Sequence, residues 1–193
     1  MRLMLLGPPG AGKGTQAIYL AERLDIPQLS TGEILRAVAS KETTIGREVG
    51  GIMQRGALVP DDLMVAIVLD RIAQPDVRSG FILDGFPRTM AQGMALDKIL
   101  DSEGRGLDRV LELKVDAAVL LDRILKRAAD AKASGLTERA DDNEEALRVR
   151  LDLYQKQTEP LTEYYRSKGI LRSVDGLQTI EAVSIALWAA IAT

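Results

Sequence analysis

Neither cysteine nor histidine occurs in the 193-residue sequence. Without cysteine there is no disulfide and no thiolate zinc site. Without histidine, imidazole metal ligands, imidazole general bases and serine–histidine triads are all excluded. An excess of basic charge is missing too, since the net charge is −3. A general nucleic-acid binder usually carries a basic face, so that class is disfavoured. Nucleotides stay open as ligands, because local arginines outweigh a weak global field. Long apolar runs are absent. The N-terminal run, Leu3-Met4-Leu5-Leu6, is too short for a signal peptide. The most apolar tail segment, residues 182–192, is too short to cross about 30 Å of hydrocarbon. It reads as a core-packed C-terminal helix anchored by Trp188. The expectation is a soluble cytoplasmic protein with neither membrane nor nucleic acid as partner. Repeats and low-complexity segments are absent as well. The length suits one domain, 1–193, carrying small insertions.

What is present is organised around Gly7-Pro8-Pro9-Gly10-Ala11-Gly12-Lys13-Gly14-Thr15. This is the phosphate-binding loop pattern: a glycine, four residues, then Gly-Lys. The apolar run before it reads as a buried strand. Ala17, Ile18, Leu20, Ala21 and Leu24 after it recur at helical spacing. Strand, glycine-rich turn and helix are the context the motif requires. There, successive N–H groups and the positive end of the helix surround a phosphate. Lys13 adds a mobile full charge. One position departs from the general pattern: Lys13 is followed by Gly14, with the hydroxyl of Thr15 one place later. Direct coordination of magnesium by that hydroxyl is therefore not expected. A largely water-coordinated metal is expected, in keeping with magnesium's reluctance to dehydrate.

Further along, residues 26–29 read as a second strand and Ser30-Thr31-Gly32-Glu33 as a capping box opening a helix. A second helical candidate, residues 43–55, is weakened by Gly46, Gly50 and Gly51, each costing roughly 1 kcal/mol against alanine. Residues 30–59 thus look like a small helical insert that packs lightly. Pro60-Asp61 opens the next helix. Phe81-Ile82-Leu83 is a continuous apolar run, as in a strand buried on both faces. It ends in Asp84, at the strand end where ligands bind in parallel sheets. Asp84 also has a plain reading as a cap. Gln92 likewise fits either a site or a capping box with Thr89. Residues 110–115 and 170–174 read as the fourth and fifth strands. Residues 128–138 read as a loop, and Asp142 with Glu145 as the cap of a helix running toward Gln157. Five strands alternating with helices predict an α/β fold, a five-stranded parallel sheet covered on both faces.

Taken together, the loop, Ser30-Thr31-Gly32-Glu33 with Arg36, and Asp84-Gly85-Phe86-Pro87-Arg88 resemble the motifs of adenylate kinases. So do Asp122-Arg123 with Arg127, Arg139-Ala140-Asp141-Asp142 with Arg150, and Val174-Asp175-Gly176. The resemblance runs in order over nearly the whole chain. Only eleven residues separate Arg127 from Arg139, which resembles the short-lid type, with a lid of about 127–138 and no zinc. The resemblance implies a P-loop kinase domain, a nucleoside-monophosphate-binding insert over 30–59, and a monomer. It implies reversible transfer of a phosphoryl group from ATP to AMP, giving two ADP, with Mg2+. Gly10, Ala11, Gly12, Lys13, Gly14 and Thr15 would hold the ATP phosphates, and Arg123, Val174 and Gly176 its adenosine end. Thr31, Arg36, Gly85, Arg88 and Gln92 would hold AMP, with Met53, Leu58 and Val59 around its base and ribose. Arg127, Arg139 and Arg150 would gather the phosphates, and Asp84 would organise the metal, through water. Lys13, Arg88, Arg123, Arg127, Arg139 and Arg150 form the implied catalytic set.

The chemistry agrees with the composition. A phosphate acceptor is already an oxyanion at pH 7, so no general base is required and a chain without histidine loses nothing. Cations around the transferred group and exclusion of water are what the reaction needs. Two rivals remain: a UMP or CMP kinase of the same family, and a nucleotide switch that binds without turnover.

Overall fold

A computed structural model of the chain describes residues 1–135 and 141–192. Among these residues five strands form one all-parallel sheet: β1 (Arg2–Leu6), β2 (Gln28–Ser30), β3 (Phe81–Asp84), β4 (Arg109–Lys114) and β5 (Leu171–Asp175), in the order β2-β3-β1-β4-β5. Strand β1, which leads into the phosphate loop, is central. Its neighbours are β3, with Leu5 opposite Asp84, and β4, with Leu6 opposite Glu112. The sheet thus delivers the loop and Asp84 to the same edge.

The inner strands β1 and β3 are apolar on both faces because helices cover both, and alternation along the strands splits the core in two. Met4, Leu6, Phe81, Leu83 and Val110 face one cluster, which also takes Val68, Leu96, Leu161 and Tyr165. Leu3, Leu5, Ile82, Leu111 and Leu113 face the other, with Ala17, Leu20, Val183 and Leu187. The second cluster is sealed by α1 (Lys13–Leu24) and α9 (Ile180–Ala192). The Arg23 guanidinium lies 3.8 Å from the ring centroid of Trp188, so the expected anchor on α9 is clamped to α1. No helix among the described residues is long and apolar enough to cross a membrane.

Residues 30–59 hold α2 (Thr31–Ala39) and α3 (Thr44–Gln54). Ser30 caps α2 by accepting from the Glu33 N–H, and Thr43 caps α3 by accepting from Gly46 N–H. Leu35 and Val49 are buried, with Val59, in the first core cluster. The insert's apolar face is therefore continuous with the body's core. Helices α4 (Asp61–Ile72) and α5 (Met90–Ser102) follow on either side of β3 in sequence.

Three expectations need correction. Residues 128–138 do not begin as a loop: α6 (Leu120–Ala133) continues through the first six of them, because Ala128, Ala129, Ala131 and Ala133 are strong helix formers. Helix α7 (Glu144–Leu153) is capped by Asn143, whose side chain accepts from Ala146 N–H, rather than by Asp142. It also stops short of Gln157, giving way to a π-helical turn, Tyr154–Thr158, before α8 (Pro160–Ser167). The second strand starts two residues later than expected, since the Ile26 N–H is still bonded back to Ala21 at the end of α1.

Candidate active site

The loop leaves β1 at Gly7, whose φ of +145° is open only to glycine. A Cβ there would lie 2.8 Å from the Leu113 carbonyl oxygen, inside the paired strand β4, which has no freedom to retreat. Gly7→Ala therefore combines backbone strain with a clash, and we expect it to cost about 3 kcal/mol or more. A urea unfolding midpoint equal to that of the unsubstituted protein would contradict this.

Beyond Gly7 the loop wraps onto the N-terminus of α1 and forms one wall of a cleft of about 730 Å³. Gly10, Ala11, Gly12, Lys13, Gly14 and Thr15 line it. So do Thr31, Arg36, Met53, Leu58 and Val59 from the insert, Asp84, Gly85, Arg88 and Gln92 from the end of β3 onward, and Arg123, Arg127, Arg150 and Gly176. Residues distant in sequence thus converge on one concavity. The Val174 side chain is instead buried in the second core cluster. Arg139 lies outside the described residues.

Five of these cations are held by specific partners. The Lys13 ammonium donates to the carbonyls of Gly7 and Pro8, at 2.6 and 2.9 Å. Removal from water pushes its pKa down to about 8; Arg88, Arg150 and Arg127 push the same way, and Asp84 opposes them. Arg88 Nε donates to the Gly85 carbonyl at 2.8 Å. Burial holds the Arg88 guanidinium below the usual arginine range, with Asp84 and Asp141 opposing and Arg36 reinforcing. Arg150, also lowered by burial, pairs with Asp141 at 2.7 Å. Arg127 pairs with the buried carboxylate of Asp142 through both Nε and a terminal nitrogen. Arg123 donates to the Gly176 carbonyl at 3.0 Å.

Asp84 lies against the loop, its carboxylate accepting from Gln28 Nε2 at 3.1 Å and lying 3.4 Å from where a Cβ on Gly14 would be. Among the described residues no group of three or more acidic side chains is placed to hold a metal ion. A lone carboxylate facing a phosphate loop fits a cation that arrives with phosphates and keeps its water, which is magnesium's habit.

Gln92 serves the cap of α5 and also borders the cleft. It completes the cap of α5, with Thr89 accepting from its N–H, and its Oε1 accepts from Arg88 N–H at 2.7 Å. Its Nε2 donates to Asp61 at 2.7 Å, and it also faces the cleft. Gln28, Asp61, Asp141 and Asp142 hold site residues in place, a part the sequence does not assign to any of them. The acidic pair next to Arg139 was the available signal, but sequence alone does not say which arginine each acid meets.

Comparison with known proteins bears on the same site. A family model described as adenylate kinase matches residues 5–170. The adenylate kinase of Methylobacterium nodulans is 52% identical over 187 residues, 97% of this chain and 94% of the relative. That of Beijerinckia indica is 53% identical over 187 residues, covering 97% of each. That of Chelativorans is 54% identical over 184 residues, covering 95% of each. Loop, acid-ended strand, arginine set and these full-length similarities agree, and the chain belongs to the adenylate kinase family.

Proposed function

We propose that the reversible phosphotransfer of this family, ATP plus AMP giving two ADP, is carried out in the cleft by charge placement without a general base. The observation that carries this reading is the convergence of Lys13, Arg88, Arg127 and Arg150 around a loop built for phosphate. ATP enters with its phosphates on residues 10–15 and its adenosine end toward Arg123, Gly176 and the backbone at Val174. AMP lies between the insert and β3. Thr31, Arg36, Arg88 and Gln92 hold it, with Met53, Leu58 and Val59 around its base and ribose, the Gly85 backbone beside it, and Thr31 and Gln92 favouring adenine. A phosphate oxygen of AMP attacks the terminal phosphorus of ATP, and the bond from that phosphorus to the bridging oxygen breaks. No proton has to be removed from the attacking group.

Arginine forks stay charged throughout and match the oxygens of the transferred group. Arg127 and Arg150 are held by Asp142 and Asp141 until phosphates compete for them, and Arg139 is assigned with them through the resemblance. Magnesium, carried on the ATP phosphates and met by Asp84 through water, would neutralise charge on the phosphate oxygens. Residues 30–59 and about 127–138 are the parts assigned to close over the nucleotides and exclude water, which would otherwise take the phosphoryl group.

The test is ADP formation from ATP and magnesium with AMP, CMP, UMP and GMP in parallel and a control without acceptor. ADP formation with AMP alone is expected. A preference for CMP or UMP would keep the mechanism and overturn the assignment of Thr31 and Gln92 to an adenine nucleotide. ATP consumption confined to the control would favour a switch without transfer.

A further inference from the structure

Three polar groups of Arg88 are held in place. Its N–H donates to Gln92, its Nε to the Gly85 carbonyl, and its own carbonyl accepts from the Thr158 hydroxyl at 2.7 Å. The last bond spans seventy residues of sequence. Thr158 is buried and does not line the main cleft. It faces a small cavity of about 60 Å³ behind Lys13, Arg88 and Arg150.

The way the chain delivers Thr158 is unusual. It ends the π-helical turn Tyr154–Thr158, marked by the bond from Glu159 N–H to the Tyr154 carbonyl, five residues back. Such turns are rare and concentrate at functional sites. The same helical path carries Arg150 on α7. In an uninterrupted α-helix the residue about two turns beyond Arg150, on the same face, is Gln157. One extra residue in the turn transfers that place to Thr158. The structure agrees, for Gln157 is exposed and Thr158 buried.

We infer that Thr158 is a positioning residue for phosphoryl transfer: the π turn aims its hydroxyl at the Arg88 carbonyl, locking Arg88 to the helical path that bears Arg150. The backbone that carries one guanidinium is thereby tied to the helical path that carries the other. This rests on the role proposed for Arg88.

The experiment compares T158V, T158S, R88A and the double variant R88A/T158V, each shown folded by its unfolding midpoint, with kcat and KM measured for ATP and AMP. Valine keeps the volume and removes the hydroxyl. Misplacement of a group by about 1 Å can cost 10²-fold, so kcat of T158V is expected to fall about 10- to 100-fold with KM for ATP little changed. T158S is expected to stay within about twofold of the unsubstituted protein. On the R88A background the valine should cost nothing further, because its effect passes through Arg88. Full kcat in T158V, or the same loss with and without Arg88, overturns the inference. If T158V does not fold, T158A is read by the same criteria. Unimpaired turnover in R88A would remove the role of Arg88, and the inference with it, whereas a crippled R88A beside a normal T158V would fault the inference alone.

Discussion

Replacing Arg88 by alanine is expected to lower turnover at least ~10²-fold while leaving the fold intact. The guanidinium sits where β3 delivers it, beside Asp84 and facing the phosphate loop. Charge that develops on the transferred group meets a donor already in place, and alanine removes it. Stability should move the other way or not at all. Burial and Arg36 disfavour the charged form in the folded chain, as its depressed pKa records. Removing the charge relieves that cost, against the loss of one hydrogen bond to the Gly85 carbonyl. Sites of this kind commonly trade stability for activity. The measurement is kcat together with a urea unfolding curve. Near-normal turnover in a folded R88A protein would refute the role given to this residue.

Lys13→Met should be more severe, roughly 10³-fold in kcat, the upper end of what one preorganised donor supplies. Its pH behaviour gives an independent check. The folded pKa, about 8, lies below the ordinary 10.5. Between those values the unfolded chain keeps the proton and the ligand-free folded chain loses it. This group therefore makes stability rise with pH across that window. Nucleotide binding responds with the opposite sign, because the phosphates require the charged form. ATP affinity, measured by titration at fixed ionic strength, should decline as pH rises above about 8. In Lys13→Arg, where the charge persists, that decline should disappear. A flat profile in the unsubstituted protein would mean that Lys13 remains charged without ATP.

Much of this was legible in the sequence, for physical reasons that differ by region. Buried parallel strands need unbroken apolar runs, so residues 3–6 and 81–83 announced β1 and β3. The phosphate loop needs glycine where side chains would collide, and Gly7 shows the collision. Legibility failed where tertiary partners decide. Asp142 looked like a helix cap because its spacing to Glu145 permits one, but Arg127 takes its carboxylate and Asn143 caps instead. Residues 128–133 looked like loop because they are small and polar, yet alanine favours helix. The π turn has no local signature; it is visible only once Arg88 is in place to receive Thr158.

The clamp between Arg23 and Trp188 has a practical consequence. Trp188 is the only tryptophan in the chain. It lies on α9 against α1, on the second core cluster, and is not among the residues lining the cleft. Its fluorescence is therefore expected to follow the separation of those two helices on global unfolding, and a change in its emission on adding nucleotide to the folded protein would contradict that expectation. Denaturation curves of the loop and arginine variants can be followed through that one side chain.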